Sequence, residues 1–411
     1  MATSGSTNYS MNHDDVITEA LELVGQYSAG EAIPGEDWTS VNRTLQMLLK
    51  SWSGEEIGLW KNKEIAVFQS DDGYSYTLGP SGSHASAAYV KTEVATAAAS
   101  AATAIVIDST TGMNDNFDID GIITATTPAA AGTITIDGDL ISGIHAVMSS
   151  PRKILIYSDA DDSGVTFGIT GTNSADAVQT ENLTGPNTTT VYSTNEYKTI
   201  TAITIDGAGT GNISVGQVGD FIGIELDDGT IQWTNMGAAL STTTTLIAAL
   251  TDDVAVDNHI YVYTSKPSRP LEILEARIHH PDDTETPISI ISRREYMELS
   301  TKTSSSAIAN SIYYDPQTNN GILKVWPPCS DTKYWLMLTA RMPIEDMDAA
   351  GDAPDMPQEC FLALSWNLAV LIAPKFGMPL TKSFRDDAKV FKKTVKDFDR
   401  EQVSSTIEII T

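Results

Sequence analysis

Apolar residues recur every three or four positions near both ends of the chain and alternate with polar ones through its middle. Near the N-terminus Val16, Ile17, Ala20, Leu21, Val24 and Tyr27 fall on one side of a helix that Asp14 or Asp15 can cap. A second helix follows Asp37, with Trp38, Val41, Leu45, Leu48 and Trp52 at the same spacing, and stops at Ser53 and Gly54. Toward the C-terminus Phe361, Leu362, Ala363, Leu364, Trp366, Leu368, Ala369, Val370, Leu371 and Ile372 leave almost no polar stripe. A helix apolar all round is expected to be buried all round. It is shorter than the about 20 apolar residues a bilayer needs and Asn367 interrupts it, so it is expected inside protein. The two N-terminal helices cannot bury their stripes alone, and this helix is their natural partner. Both chain ends would then close into one helical body. A final helix places Phe384, Ala388, Phe391, Val395 and Phe398 on a packing face. Beside that face run Arg385, Lys389, Lys392, Lys393, Lys396 and Arg400.

Between the helical ends the period shortens to two. EIAVF and YSYTLG around SDDG read as a hairpin, and from residue 89 to residue 263 the chain is rich in Thr, Ala, Gly, Ile, Val and Asp with no convincing helix. Residues 153–216 alternate short strands with Asp-Gly, Gly-Thr and Gly-Pro-Asn turns, as a β sandwich requires, while residues 89–152 and 217–263 read as a second β module around it. After Lys266 come the strands LEILEARI and ISIIS, a short helix at RREYMELST, a hairpin turning at Asn319, Asn320 and Gly321, and the strand YWLMLTARMP. Pro357 suits the start of the apolar helix. The fold class is therefore α+β: a helical core built from both chain ends with β hairpins, carrying a large all-β insertion. Its boundaries are an arm at 1–12, a discontinuous core at 13–88 and 264–400, the insertion module at 89–152 and 217–263, the sandwich at 153–216 and a tail at 401–411.

Charge narrows the function. The 411 residues hold 25 basic and 54 acidic side chains, a formal charge of -29. Affinity for DNA comes largely from cations that displace its counterions, so ordinary nucleic-acid binding is disfavoured. An acidic wall suits a channel through which DNA slides without sticking, and elsewhere it keeps a protein soluble. Against that background the basic stripe is either a solvated face balanced by Asp386, Asp387, Asp397 and Asp399 or a face aimed at an acidic partner.

Candidate chemistry is sparse. Cys329 and Cys360 sit in apolar contexts and read as inert thiols rather than a disulfide. No nucleotide loop, H-E-x-x-H, C-x-x-C or G-x-S-x-G occurs, so neither an enzyme nor a cofactor is indicated. His279, His280, Asp282, Asp283 and Glu285 are metal-ligand types but lack helical i, i+4 geometry, and a solvated turn is preferred. Asp159, Asp161, Ser163 and Gly164 imitate half a calcium loop, yet its twelfth position is Thr170, which favours a plain hairpin turn. Stacking of a sugar on the sandwich could draw on Tyr157, Phe167, Tyr192 and Tyr197, some of which the core will claim. Trp38, Trp52, Trp60, Trp326, Trp335 and Trp366 are assigned to packing. MATSGSTNYSMNHDD lacks the basic and apolar regions of a secretory signal and no membrane-length apolar run is read, so synthesis in a cytoplasm and no membrane partner are expected.

The order of segments resembles one family. A two-helix start ending in LKSW and GLW, then RPLEILEARI, SRREYMEL, IYYDP, LKVWPP, DMP, LAVLIAPKFG and a charged last helix, is similar to the podovirus head-to-tail adaptors, also described as tail accessory or packaged-DNA-stabilising proteins. The likeness covers about residues 12–79 and 266–405. Residues 153–216 separately resemble the immunoglobulin-like modules grafted onto phage structural proteins. The resemblance implies a homo-oligomeric ring, usually a dodecamer, at the tail vertex of a virion. It would bind the portal protein above and the tail nozzle with fibre or spike proteins below, retaining double-stranded DNA and later passing it without reading its sequence. The family's terminal segment reaches the portal, which maps here to the tail with Ile407, Ile409 and Ile410, and the stripe from Arg385 to Arg400 gains portal carboxylates as a target. The alternative is a decoration or host-attachment protein acting through its β insertion.

Overall fold

The computed structural model describes residues 8–55, 57–70, 73–306, 308–347 and 351–398. It is a mixed α+β chain with helices α1 (His13–Val24), α2 (Gly35–Ser53), α3 (Arg293–Glu298), α4 (Phe361–Ile372) and α5 (Lys382–Phe398) and several mostly antiparallel sheets. The chain divides into a unit of Met1–Lys63 with Ala340–Thr411 and a unit of Glu64–Thr339.

The first unit holds α1, α2, α4 and α5 around one apolar core. Val16, Ile17, Ala20 and Leu21 of α1, Val41, Leu45, Leu49 and Trp52 of α2, and Leu364, Leu368, Ala369 and Ile372 of α4 all lie within it. Fully burying one such Leu or Ile is worth about 1.5–3 kcal/mol, so the seam between the distant chain ends is held chiefly by apolar burial. The cap of α1 differs from expectation: Asn12 accepts from the Asp15 amide at 2.8 Å while the Asp15 carboxylate accepts from the Asn12 amide at 2.9 Å. Asp15 is thus the third helical residue of a capping box, and the neighbouring Asp14 is drawn off by the Trp38 indole, which donates to it at 2.7 Å. α2 begins at Gly35, ahead of Asp37, after Pro34.

α4 is not buried all round. Leu362 is 54% and Leu371 46% exposed, because α1, α2 and α5 cover only part of its circumference. With its flanking 3-10 turns it forms a stretch, Gln358–Phe376, of 19 residues, long and apolar enough by composition to cross a bilayer; half of it is buried, its inner side in the shared core. Asn367 interrupts the apolar run for a reason: its amide donates to Ala363 O at 2.8 Å and to Ala388 O at 3.0 Å, tying α4 to α5.

The second unit is built from sheets. The expected hairpin over 64–79 does not form. Asn62–Phe68 pairs with Ala85–Ser86 and lies beside Trp335–Arg341 in a five-stranded sheet, whereas Gly73–Leu78 pairs with Gly321–Cys329 in a four-stranded one. Ala66 and Phe68 are drawn into a core with Trp335 and Met337, so the turn carries the chain from one sheet to another. The hairpin of Ser311–Asp315 with Gly321–Cys329 is present. Gly321 is required there, since a Cβ would stand 2.0 Å from the Tyr314 hydroxyl, which donates to Pro270 O at 2.6 Å.

Two further sheets occupy the expected insertion. A six-stranded sheet runs Ile231–Asn235, Phe221–Glu225, His259–Tyr263, Val90–Thr96, Ala104–Ile107, Thr243–Thr245. An eight-stranded sheet forms over the segment read as a sandwich, but it also takes in Asp118–Thr126 and the whole of His145–Ser158. These strands belong to it because Ile122, Ile123, Ala146 and Met148 share a core with Ile156, Phe167, Ile200 and Ile213. Its longest strand, Thr190–Ile205, shifts register against His145–Ser158 between Tyr192 and Glu196, a bulge that bends the strand.

Candidate functional site

The stripe singled out from sequence lies on α5. Ala388 and Val395 are buried, and Phe384 stacks on Trp366 of α4 at 4.3 Å while Phe391 meets the same indole edge-on at 5.2 Å. Phe398 shares this face but is 71% exposed, so close packing ends at Val395. The cations are not equivalent. Lys392 pairs with Glu55 at 2.7 Å over the Trp52 ring, and Lys396 donates to Glu55 O at 3.2 Å. Arg385 donates to Leu380 O at 3.3 Å and Lys389 reaches Asp386 at 3.7 Å, both on the exposed side with Lys393. Exposed pairs of that kind are worth about 0–1 kcal/mol, so Arg385, Lys389 and Lys393 stay available to a partner. Arg400, Ile407, Ile409 and Ile410 lie outside the described residues.

The acidic turn after residue 158 serves the fold. Asp159 accepts from the Asn212 amide and side chain at 2.7 and 2.9 Å, and Asp161 from the Ser163 hydroxyl at 2.6 Å. Both carboxyls are held below their ordinary values by those side-chain and backbone donors. The neighbouring Asp162, 2% exposed, accepts from Ser158 Oγ, Thr210 N and Gly211 N at 2.5, 2.6 and 3.2 Å. Burial works to raise Asp162, but the Ser158, Thr210 and Gly211 donors outweigh it and leave the carboxyl below the usual range. At His279 the ring stacks on Trp335 at 4.1 Å, and His280 bonds Thr286 at 2.8 Å. Among the described residues no group of His, Cys, Asp and Glu is placed to hold a metal ion. Cys329 and Cys360 are buried and not joined in a disulfide.

A second location was not read from sequence. Within the Glu64–Thr339 unit, a cleft of about 410 Å³ opens where the bulged strand Thr190–Ile205 meets the edge strand Ile231–Asn235. Glu181 fixes the bulge by accepting from Thr194 N at 2.6 Å and Asn195 N at 3.1 Å, which turns Tyr192 and Glu196 to the cleft. Trp233 forms another wall, clamped between His84, whose ring stacks on it at 4.2 Å, and Gly223, where a Cβ would stand 2.7 Å from the indole. Burial first, and then the charge of Lys266, hold His84 at about 3, so it is a neutral ring, with Nδ1 bonded to the Tyr263 hydroxyl at 2.7 Å. Of these residues only Tyr192 drew notice in the sequence; the signal passed over was Trp233, a lone tryptophan within the Thr- and Gly-rich middle.

The aromatic residues proposed for sugar stacking divide. Phe167 and Tyr197 are fully buried in the sheet core, whereas Tyr157 and Tyr192 are partly exposed. No family model matches the chain, and no curated protein and no solved structure matches it either.

Proposed function

We propose that the chain is a structural head-to-tail connector of a tailed-phage virion, a ring-forming adaptor beneath the portal that joins capsid to tail, retains packaged DNA and passes it on ejection. In this proposal the helical unit is the adaptor core and residues 153–216 form an immunoglobulin-like graft. The observation that carries it is α5: in a chain of charge -29, a helix anchored by its apolar face keeps Arg385, Lys389 and Lys393 exposed together. Such a face fits carboxylates on a neighbouring subunit or a portal, since complementary charge sets orientation and encounter rate. The resemblance of the ordered segments to head-to-tail adaptors supports the same role, and strong overall acidity suits contact with DNA that must slide.

The test is assembly with the portal protein of the virus that encodes the chain. Mass photometry is expected to show closed rings on the portal, and K389E/K393E to weaken their formation at least tenfold while leaving the helical unit folded by circular dichroism. A chain that remains monomeric with that portal under all salt conditions defeats the connector.

A further inference from the structure

We propose that the cleft between the bulged strand and Trp233 binds a carboxylated saccharide. The assignment stands apart from the connector role and rests on the cleft alone. Its volume of about 410 Å³ is that of a small-ligand pocket, and it lies where two β modules meet, a common place for one. The walls are preorganised. The bulge is held by the Glu181 carboxylate, Ser193 is locked by accepting from Ile154 N and donating to Asn195 O at 2.8 Å each, and Trp233 cannot rotate between His84 and Gly223. Binding to such a frame loses little freedom at the protein's side.

The polar groups decide the ligand class. Thr234 is 8% exposed and lines the cleft, and its hydroxyl has no hydrogen-bond partner among the described residues. A buried hydroxyl left without a partner costs about 1–3 kcal/mol, so a ligand group that bonds it is favoured. The charged lining is Lys153, Lys266 and Glu196. Lys266 lies 3.6 Å from Glu196 and its ammonium 5.1 Å over the Phe221 ring, whereas Lys153 has no carboxylate within salt-bridge distance among the described residues. A cleft with a net positive lining is an exception in a chain of charge -29, and it selects an anion.

A phosphate is a poor match, because its second charge would face Glu196 and no arginine lines the cleft. A ring bearing one carboxylate and several hydroxyls fits the mixture. The carboxylate meets Lys153, hydroxyls donate to Glu196 and bond Thr234 and Asn235, and the apolar face of the ring lies against Tyr192.

The test uses the full-length chain and isothermal titration with digalacturonate, with its neutral methyl ester and a hexaglutamate peptide as the competing chemistries. Saturable binding of digalacturonate is expected, at least tenfold weaker for the methyl ester and for K153M. T234V provides a second, smaller lesion, expected to weaken binding several-fold, and each variant is first matched to the parent in melting temperature. K198M, a lysine exchange outside the cleft lining, is expected to bind as the parent does. Absence of saturable binding at millimolar digalacturonate, or binding unmoved by both K153M and T234V, overturns the assignment. So does a preference for hexaglutamate, which would point to an acidic protein segment instead.

Discussion

At the scale of single residues, charge burial rather than exposed pairing sets the sharpest expectation. Glu225, only 6% exposed, accepts from His259 N at 3.1 Å and pairs with His259 Nδ1 at 3.2 Å and Lys333 Nζ at 2.9 Å. Burial alone would raise its carboxyl, but the His259 and Lys333 donors win and lower it from 4.5 to about 2. A carboxyl depressed on folding contributes stability that is complete above its unfolded value and is lost as pH falls through the folded one. E225Q is therefore expected to destabilise the protein by about 2 kcal/mol at pH 7, the worth of hydrogen bonds to a charged group. That deficit should shrink between about pH 5 and pH 2, as the native glutamate takes up its proton. Thermal melts of parent and variant across this range check it, and curves that stay parallel would show that Glu225 is not the group responsible.

At the scale of elements, helices were legible and strand partners were not. The stripes of α1, α2 and α5 repeat at helical spacing, and spacing alone puts Leu45, Trp52 and Val395 in a core, where they lie. What spacing could not supply was how much of α4 its neighbours cover, and Leu362 and Leu371 were lost to solvent for that reason. Strand pairing is non-local: Ile65, Ala66, Val67 and Phe68 form an unbroken apolar run that is buried on both faces, and Trp335 and Met337, far along the chain, claim Ala66 and Phe68 for their core. The cleft was illegible for the same reason, since His84, Lys153, Tyr192, Trp233 and Lys266 come from separate strands and loops. Caps fall between these cases. Asn12 and Asp15 close a box that their spacing announces, although two aspartates compete for the part in sequence. N12A is expected to lower the stability of the helical unit by about 1 kcal/mol and N12S to leave it nearly unchanged. Urea midpoints followed by circular dichroism at a helical wavelength separate the two, and a midpoint unchanged in N12A would mean that the box contributes little.

At the scale of the whole molecule, the division of the chain makes its own demand on stability. The core around Leu364 is formed by buried residues between 16 and 57 and between 344 and 395, all in one unit, whereas Ile156, Ile222 and Trp335 belong to apolar clusters of the other. Cooperativity follows shared burial, and a chain of two compact units, each with a core of its own, need not unfold in one step. Leu364 and Ile200 are each 0% exposed, one in each unit. Truncating either to alanine removes a transfer contribution and leaves a cavity, together about 2–5 kcal/mol. L364A is accordingly expected to lower a first calorimetric transition by about 10 °C while leaving the other in place, and I200A to lower only the second, by a smaller amount because the larger unit has the larger unfolding entropy. The transition that L364A moves should carry the helical circular dichroism signal, since α1, α2, α4 and α5 all melt with it. A single transition that both variants shift by the same amount would mean that the two units unfold together and that neither core is an independent cooperative block.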